Sequence, residues 1–152
     1  MGMFSDWNAY IIIKIASLRQ DLKLIPDTGM NEITLVSGNC PSCATPAAGK
    51  WNPANDTAKE QTEFNGTVDY FYTSHLFETQ IQGRHYEEGM CIMSDKAKCS
   101  RGFSMFAIED ASPMLYSLAD GYMGLGVGKA YGETGSESLN ALDQLVKHNL
   151  ID

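Results

Sequence analysis

Hydrophobic and polar positions alternate in short runs along most of the chain, and the period lengthens only near its end. Residues Ala9 to Ile15 are β-branched and aromatic, which predicts a strand. Leu22 to Ile25 predicts a second, with Ser17 to Asp21 as the turn between them. Pro26 is expected to end that strand, because proline has no N–H for the ladder. Ile33 to Val36 predicts a third strand; Thr67 to Tyr72, Phe77 to Ile81, His85 to Ile92 and Phe103 to Ile108 predict four more. Gly38 to Asp56, rich in Gly, Pro, Ala and Asn, reads as an irregular loop. Pro113 to Leu118 reads as one helical turn, and Tyr122 to Gly128 as a glycine-studded strand and turn. Leu139, Leu142, Leu145 and Val146 then recur at helical spacing behind Ser138, which has the chemistry of an N-cap. Leu139 to His148 is therefore expected to be an amphipathic helix. The sum is a mainly β architecture of many short strands with one terminal helix.

Composition narrows the picture only slightly. The 152 residues are 43% hydrophobic and 20% charged, which suits one soluble globular domain over residues 1–152. A formal net charge of -8 argues against nucleic acid as a partner. The most apolar run, Ile11-Ile12-Ile13, is cut by Lys14 and is far shorter than the roughly 20 residues of a membrane helix. Met1 to Trp7 lacks the basic start and apolar core of a secretory signal.

The four cysteines, Cys40, Cys43, Cys91 and Cys99, allow three disulfide pairings. Their spacing favours two local bridges, Cys40 with Cys43 and Cys91 with Cys99. A four-cysteine zinc site would usually repeat the Cys-x-x-Cys spacing, and Cys91 to Cys99 is too wide for that. A thioredoxin-like pair would open a helix, whereas Cys40 to Cys43 runs into a loop. Disulfides argue for an oxidising compartment. The sequons at Asn55 and Asn65 agree with a secreted history.

Asp27-Thr28-Gly29 lies in a tight loop between two predicted strands, and taken alone it is an ordinary turn sequence. Its neighbours in order change that reading. A strand precedes it, and another strand, the Cys40/Cys43 loop and Trp51-Asn52-Pro53 follow. Later come Gly83, Cys91, Cys99, the segment Asp120-Gly-Tyr-Met-Gly-Leu-Gly126 and the terminal helix closing in Leu150-Ile151. This series resembles the N-terminal lobe of the pepsin-like aspartic peptidases over nearly the whole chain. The resemblance implies a single lobe of closed, bent β-sheets with a short C-terminal helix. It also implies catalytic roles for Asp27, Thr28 and Gly29, with Tyr122, Met123 and Gly124 passing beneath the Asp27 loop to brace it. The family's flap hairpin is expected between Tyr72 and Gly83, with Tyr72 the nearest tyrosine to the flap position, although Thr73 rather than glycine follows it.

The chain departs from the family at several positions. Met30 follows the triplet where a serine usually hydrogen-bonds the carboxylate, and methionine cannot donate. Thr34 stands where a tryptophan is common, and Ala16-Ser17-Leu18 where a glycine-proline turn is usual. No second Asp-Thr-Gly or Asp-Ser-Gly is present. The resemblance implies an aspartic endopeptidase in which this chain supplies one half-site, a second lobe or a homodimer the other, and a peptide or protein is the substrate. The alternative is an inactive lobe that at most binds peptide. A secreted or acidic vacuolar or lysosomal location is the family expectation.

Neither a metal nor another cofactor is expected. His75, His85 and His148 are scattered without metal spacing and read as surface or core histidines. Gly124-Leu-Gly126-Val-Gly128 lacks the strand-helix-strand setting of a dinucleotide loop, and no Gly-x-Ser-x-Gly elbow marks a serine hydrolase.

Overall fold

Alternation along the strands sorts their side chains into two clusters, and the sheet closes on itself around one of them. The computed structural model describes residues 11–15, 21–44, 51–53, 58–60, 68–73, 78–92, 98–112, 115–116, 119–126 and 140–151; the side chains of 44, 68–73, 78–79 and 115–116 lie outside that description. In chain order the strands are β1 (Ile11–Ile15), β2 (Asp21–Asp27), β3 (Ile33–Val36), β4 (Cys43–Ala44), β5 (Lys59–Glu60), β6 (Val68–Thr73), β7 (Glu78–Ile92), β8 (Lys98–Ser112), β9 (Leu115–Tyr116) and β10 (Gly121–Gly124). The helix α1 (Ala141–Lys147) follows. The order β1-β2-β10-β3-β8-β7, together with pairing of β7 back to β1, makes a closed six-stranded barrel. β5 and β6 add to β7, and β4 pairs with β9 in a separate small sheet.

The barrel interior is apolar. Ile13 and Ile15 from β1, Leu22 and Leu24 from β2, Ile33 and Leu35 from β3, Met105 and Ala107 from β8, and Met123 from β10 share one buried cluster. Ala141, Leu145 and Leu150 bring the terminal segment into it. Burying each large aliphatic side chain contributes about 1.5–3 kcal/mol. The alternate positions, among them Val36, Phe106, Ile108 and Tyr122, form a second cluster outside the ring, joined by Met30, Ile81 and the Cys40/Cys43 pair.

Both local disulfides are formed. Cys91–Cys99 joins directly paired positions of β7 and β8, and Cys40–Cys43 closes the turn beyond β3. Ser42 tethers that turn to β8: its hydroxyl donates to the Asp110 carboxylate and accepts from Ala111 N at 2.7 Å. These bridges are compatible with an extracellular or lysosomal location. No helix among the described residues is long and apolar enough to cross a membrane.

Several predicted boundaries need correction. β2 continues through Pro26 to Asp27. The Lys23 and Asp27 carbonyls both accept from the β10 side, so by alternation the position lacking an N–H faces the other way, beyond the described start of β1. The strands expected over Phe77–Ile81 and His85–Ile92 are one 15-residue strand, β7 (Glu78–Ile92), whose register shifts at Gln82/Gly83 without breaking it; Phe77 itself lies outside the described residues. A Cβ at Gly83 would collide with the Ala107 carbonyl, so glycine there permits a close approach of β7 to β8 and does not end the strand. The predicted helical turn over Pro113–Leu118 is a strand at Leu115–Tyr116, paired in parallel with Cys43–Ala44. The helix starts later than predicted, with Asn140 as its N-cap: Asn140 Oδ1 accepts from Leu142 N and Asp143 N. Val146, expected on the buried stripe, is exposed. Residues 9–10, 16–20, 127–128 and 138–139, and with them the sequence expectations for Ser138 and Leu139, lie outside the described residues, as do Asn55, Asn65 and His75.

Candidate functional site

The six-residue segment from Asp27, the last residue of β2, to Glu32, just before β3, is placed by the strand that runs between those two. β10 pairs in parallel with β2 (Gly121↔Leu24 through Gly124↔Asp27) and antiparallel with β3 (Gly121↔Leu35 through Met123↔Ile33). The chain thus inserts Tyr122, Met123 and Gly124 between the strands flanking Asp27. The fit is close: a Cβ at Gly124 would lie 2.5 Å from Asn31 C and Glu32 N, so only glycine lets the strands meet. Asp120 anchors the entry to β10. Its N–H donates to Lys23 O at 2.9 Å, its carbonyl accepts from Val36 N at 2.9 Å, and its Oδ2 accepts from Lys23 N at 2.8 Å. Burial pushes the Asp120 carboxyl above the ordinary aspartate range, with the Lys23 contacts opposing that rise.

The exit from β10 holds the loop itself. Gly124 N donates to Glu32 O at 3.1 Å, Leu125 N to Asp27 O at 2.7 Å and Gly126 N to Met30 O at 2.8 Å. The start of α1 adds a further tie, Ala141 N to Asn31 O at 2.6 Å, and Asn140 Nδ2 donates to Gly126 O at 3.0 Å. Four carbonyls of a six-residue connection are therefore satisfied by segments far away in sequence, which fixes its path.

On this support Asp27 is half-buried while Thr28 and Gly29 are exposed. Gly29 N donates to Asp27 Oδ1 at 2.7 Å, and a Cβ at Gly29 would come within 3.2 Å of that oxygen. The carboxylate thus holds a backbone donor while its surroundings remain open to solvent. Met30 turns inward and packs in the cluster containing Tyr122. Tyr72 lies near the end of β6, paired with Thr79 of β7, so the backbone forms a hairpin between Val68 and Gly83; the Tyr72 side chain lies outside the described residues.

Behind the loop are two groups to which the sequence assigned no role in the site. Glu32, the last residue of the connection, and His85 of β7 are both buried, with His85 Nε2 2.7 Å from Glu32 Oε2. The imidazole stacks edge-on to Phe106, centroids 5.3 Å apart. His85 is thus one of the core histidines the sequence allowed for. Thr34, aligned across β3 and β8 with Phe106, is also fully buried. The pair is separated by 53 positions, so no local spacing could have signalled it. Elsewhere, Arg84 bridges Glu60 and Glu109 on the surface, and burial followed by the Glu109 charge pushes the Tyr86 phenol up to about 12.

Among the described residues no cluster of three or more His, Cys, Asp or Glu side chains is placed to hold a metal ion. Comparison with protein-family models and with curated proteins finds no match for this chain.

Proposed function

We propose that this chain supplies one half-site of an aspartic endopeptidase, with Asp27 as its carboxylate. The observation that carries the reading is the bracing of the Asp27 loop by a strand threaded between β2 and β3, which leaves the carboxylate half-exposed at the end of β2. A braced, solvent-facing aspartate suits water activation. Hydrolysis of a peptide bond needs a base to take a proton from water and an acid to protonate the carbonyl oxygen. Two aspartates held close share one proton and serve both roles, as in pepsin. One chain offers one such group, so the second comes from a second lobe or a second copy of this chain. Two-fold symmetry would bring two Asp27 carboxylates together. The substrate class is peptide or protein, and the disulfides fit a secreted or acidic vacuolar or lysosomal setting.

A second reading has its own supporting observation. Met30 is buried in the cluster that includes Tyr122 where the family places a hydroxyl donor to the carboxylate, so that donor is lost. An inactive lobe that binds peptide would tolerate this change. Cleavage of a quenched peptide library at acid pH, measured across protein concentrations, separates the two. The half-site reading expects a rate that rises faster than linearly with concentration and vanishes in Asp27→Asn. Absence of cleavage at every concentration, or cleavage that survives Asp27→Asn, overturns it.

A further inference from the structure

We propose that the Glu32–His85 pair is a positioning device for Asp27, tying the loop that carries the carboxylate to the strand that carries the β6–β7 hairpin. The proposal rests on the half-site reading for its catalytic consequence but not for its geometry. Glu32 closes the six-residue connection that starts at Asp27, and its carbonyl is the acceptor for Gly124 N. His85 sits two residues beyond Gly83, where the hairpin meets the barrel and the β7 register shifts. The 2.7 Å contact therefore spans two elements that direct strand pairing does not join, since β8 lies between β3 and β7. The contact holds the strand that continues into the hairpin at a fixed distance from the loop, so a displacement of one is carried to the other.

Stability alone is a poor reason to keep such a pair. The side chains are 2% and 0% exposed, and burying two ionisable groups carries a desolvation cost that their attraction often fails to offset. Apolar residues of similar size would fill the space as well. They would not reproduce the directional bond between Nε2 and Oε2, which fixes the distance from loop to strand. Glu32 and His85 do not touch the reacting atoms; they act through the placement of Asp27.

The test uses the full chain and three variants: His85→Phe, Glu32→Gln and the double variant Glu32→Met/His85→Phe. Thermal melting reports packing. Amide hydrogen exchange at Gly29, Gly124, Leu125 and Gly126 reports the order of the loop, and kcat and KM on a cleaved peptide report chemistry. A positioning role predicts that the double variant regains most of the melting temperature lost in His85→Phe. Its loop amides should still exchange about tenfold faster than wild type, with kcat about tenfold lower and KM within about twofold. Glu32→Gln retains a hydrogen-bonding partner for the imidazole and should recover much of the protection. Wild-type exchange and kcat in the double variant would mean the pair is packing only, and would overturn the proposal. If the wild-type chain cleaves nothing, the peptidase reading fails, while the exchange rates still decide whether the pair orders the loop.

Discussion

The two faces of β3 and β8 are both buried, yet they are built from different chemistry. Inward, Ile33, Leu35, Met105 and Ala107 belong to the hydrophobic barrel cluster. Outward, Phe106 and Tyr122 share their layer with Thr34, His85 and Glu32, all less than a tenth exposed. Alternation alone places residues on one face or the other, so one-residue steps along the same strand pass from an apolar interior to a layer with buried polar groups. The interior can be explained by burial. The outer layer carries costs that burial does not explain, and it is the layer lying against the Asp27 loop. In the half-site reading, stability and the placement of Asp27 are held by opposite faces of the same strands.

The largest test of that division lies inside the ring. Leu35 is fully buried and packs beside Gly121. Leu35→Ala should lower the unfolding free energy by about 2–5 kcal/mol, read from urea denaturation, because it removes apolar contacts and leaves a cavity. Its effect on the Asp27 loop should follow only from global unfolding, so loop amides in the folded protein should exchange as in wild type. Selective loss of loop protection in Leu35→Ala would show that the two faces are not separable.

The seam between the faces comes next. At Gly124 the neighbours an added methyl would meet are backbone atoms of Asn31 and Glu32, which cannot rotate away. Gly124→Ala should cost about 1–3 kcal/mol by overpacking. Here the damage should be local first: exchange at Leu125 and Gly126 should quicken more than exchange in the Cys91–Cys99 hairpin. Uniform acceleration across the barrel would mean that β10 supports the barrel as a whole and does not brace the loop separately.

Much of the inner face was legible in the sequence, because alternation reports directly which side of a strand is buried. The regular strand over Ile33–Val36 falls where the period places it, and Phe103–Ile108 lies inside β8, which pairing with β7 extends from Lys98 to Ser112. What failed was decided by contacts distant in sequence. Gly83 interrupts the apolar pattern, but pairing with β8 carries β7 through it. The helix start turns on tertiary bonding: Asn140 is drawn in by its donation to Gly126 O as well as by its capping bonds. Leu115–Tyr116 is a strand because Cys43–Ala44 lies beside it. The Asp27 triplet and the glycine-rich segment could be singled out by their order along the chain, and β10 pairs with both β2 and β3. The Glu32–His85 pair has no local pattern at all, and only the β3–β8–β7 arrangement brings it together.

The smallest expected effect is the one whose sign matters most. Thr34 is fully buried, and its hydroxyl has no hydrogen-bond partner among the described residues. A hydroxyl left in that state costs about 1–3 kcal/mol relative to its hydrated form. Valine has nearly the same shape without the polar atom. Thr34→Val should therefore stabilise the protein, raising the unfolding free energy by about 1 kcal/mol in urea denaturation. It is a substitution on the outer face that improves burial while leaving the loop carbonyls bonded as before. A stabilised variant with wild-type exchange at Gly29 and Leu125 would place the cost of the outer face in individual polar groups, with Glu32 and His85 as the members that return something for it. Destabilisation by Thr34→Val would instead mean that the hydroxyl is satisfied in solution, and that the outer layer is a connected polar core in which Thr34 takes part in holding the loop.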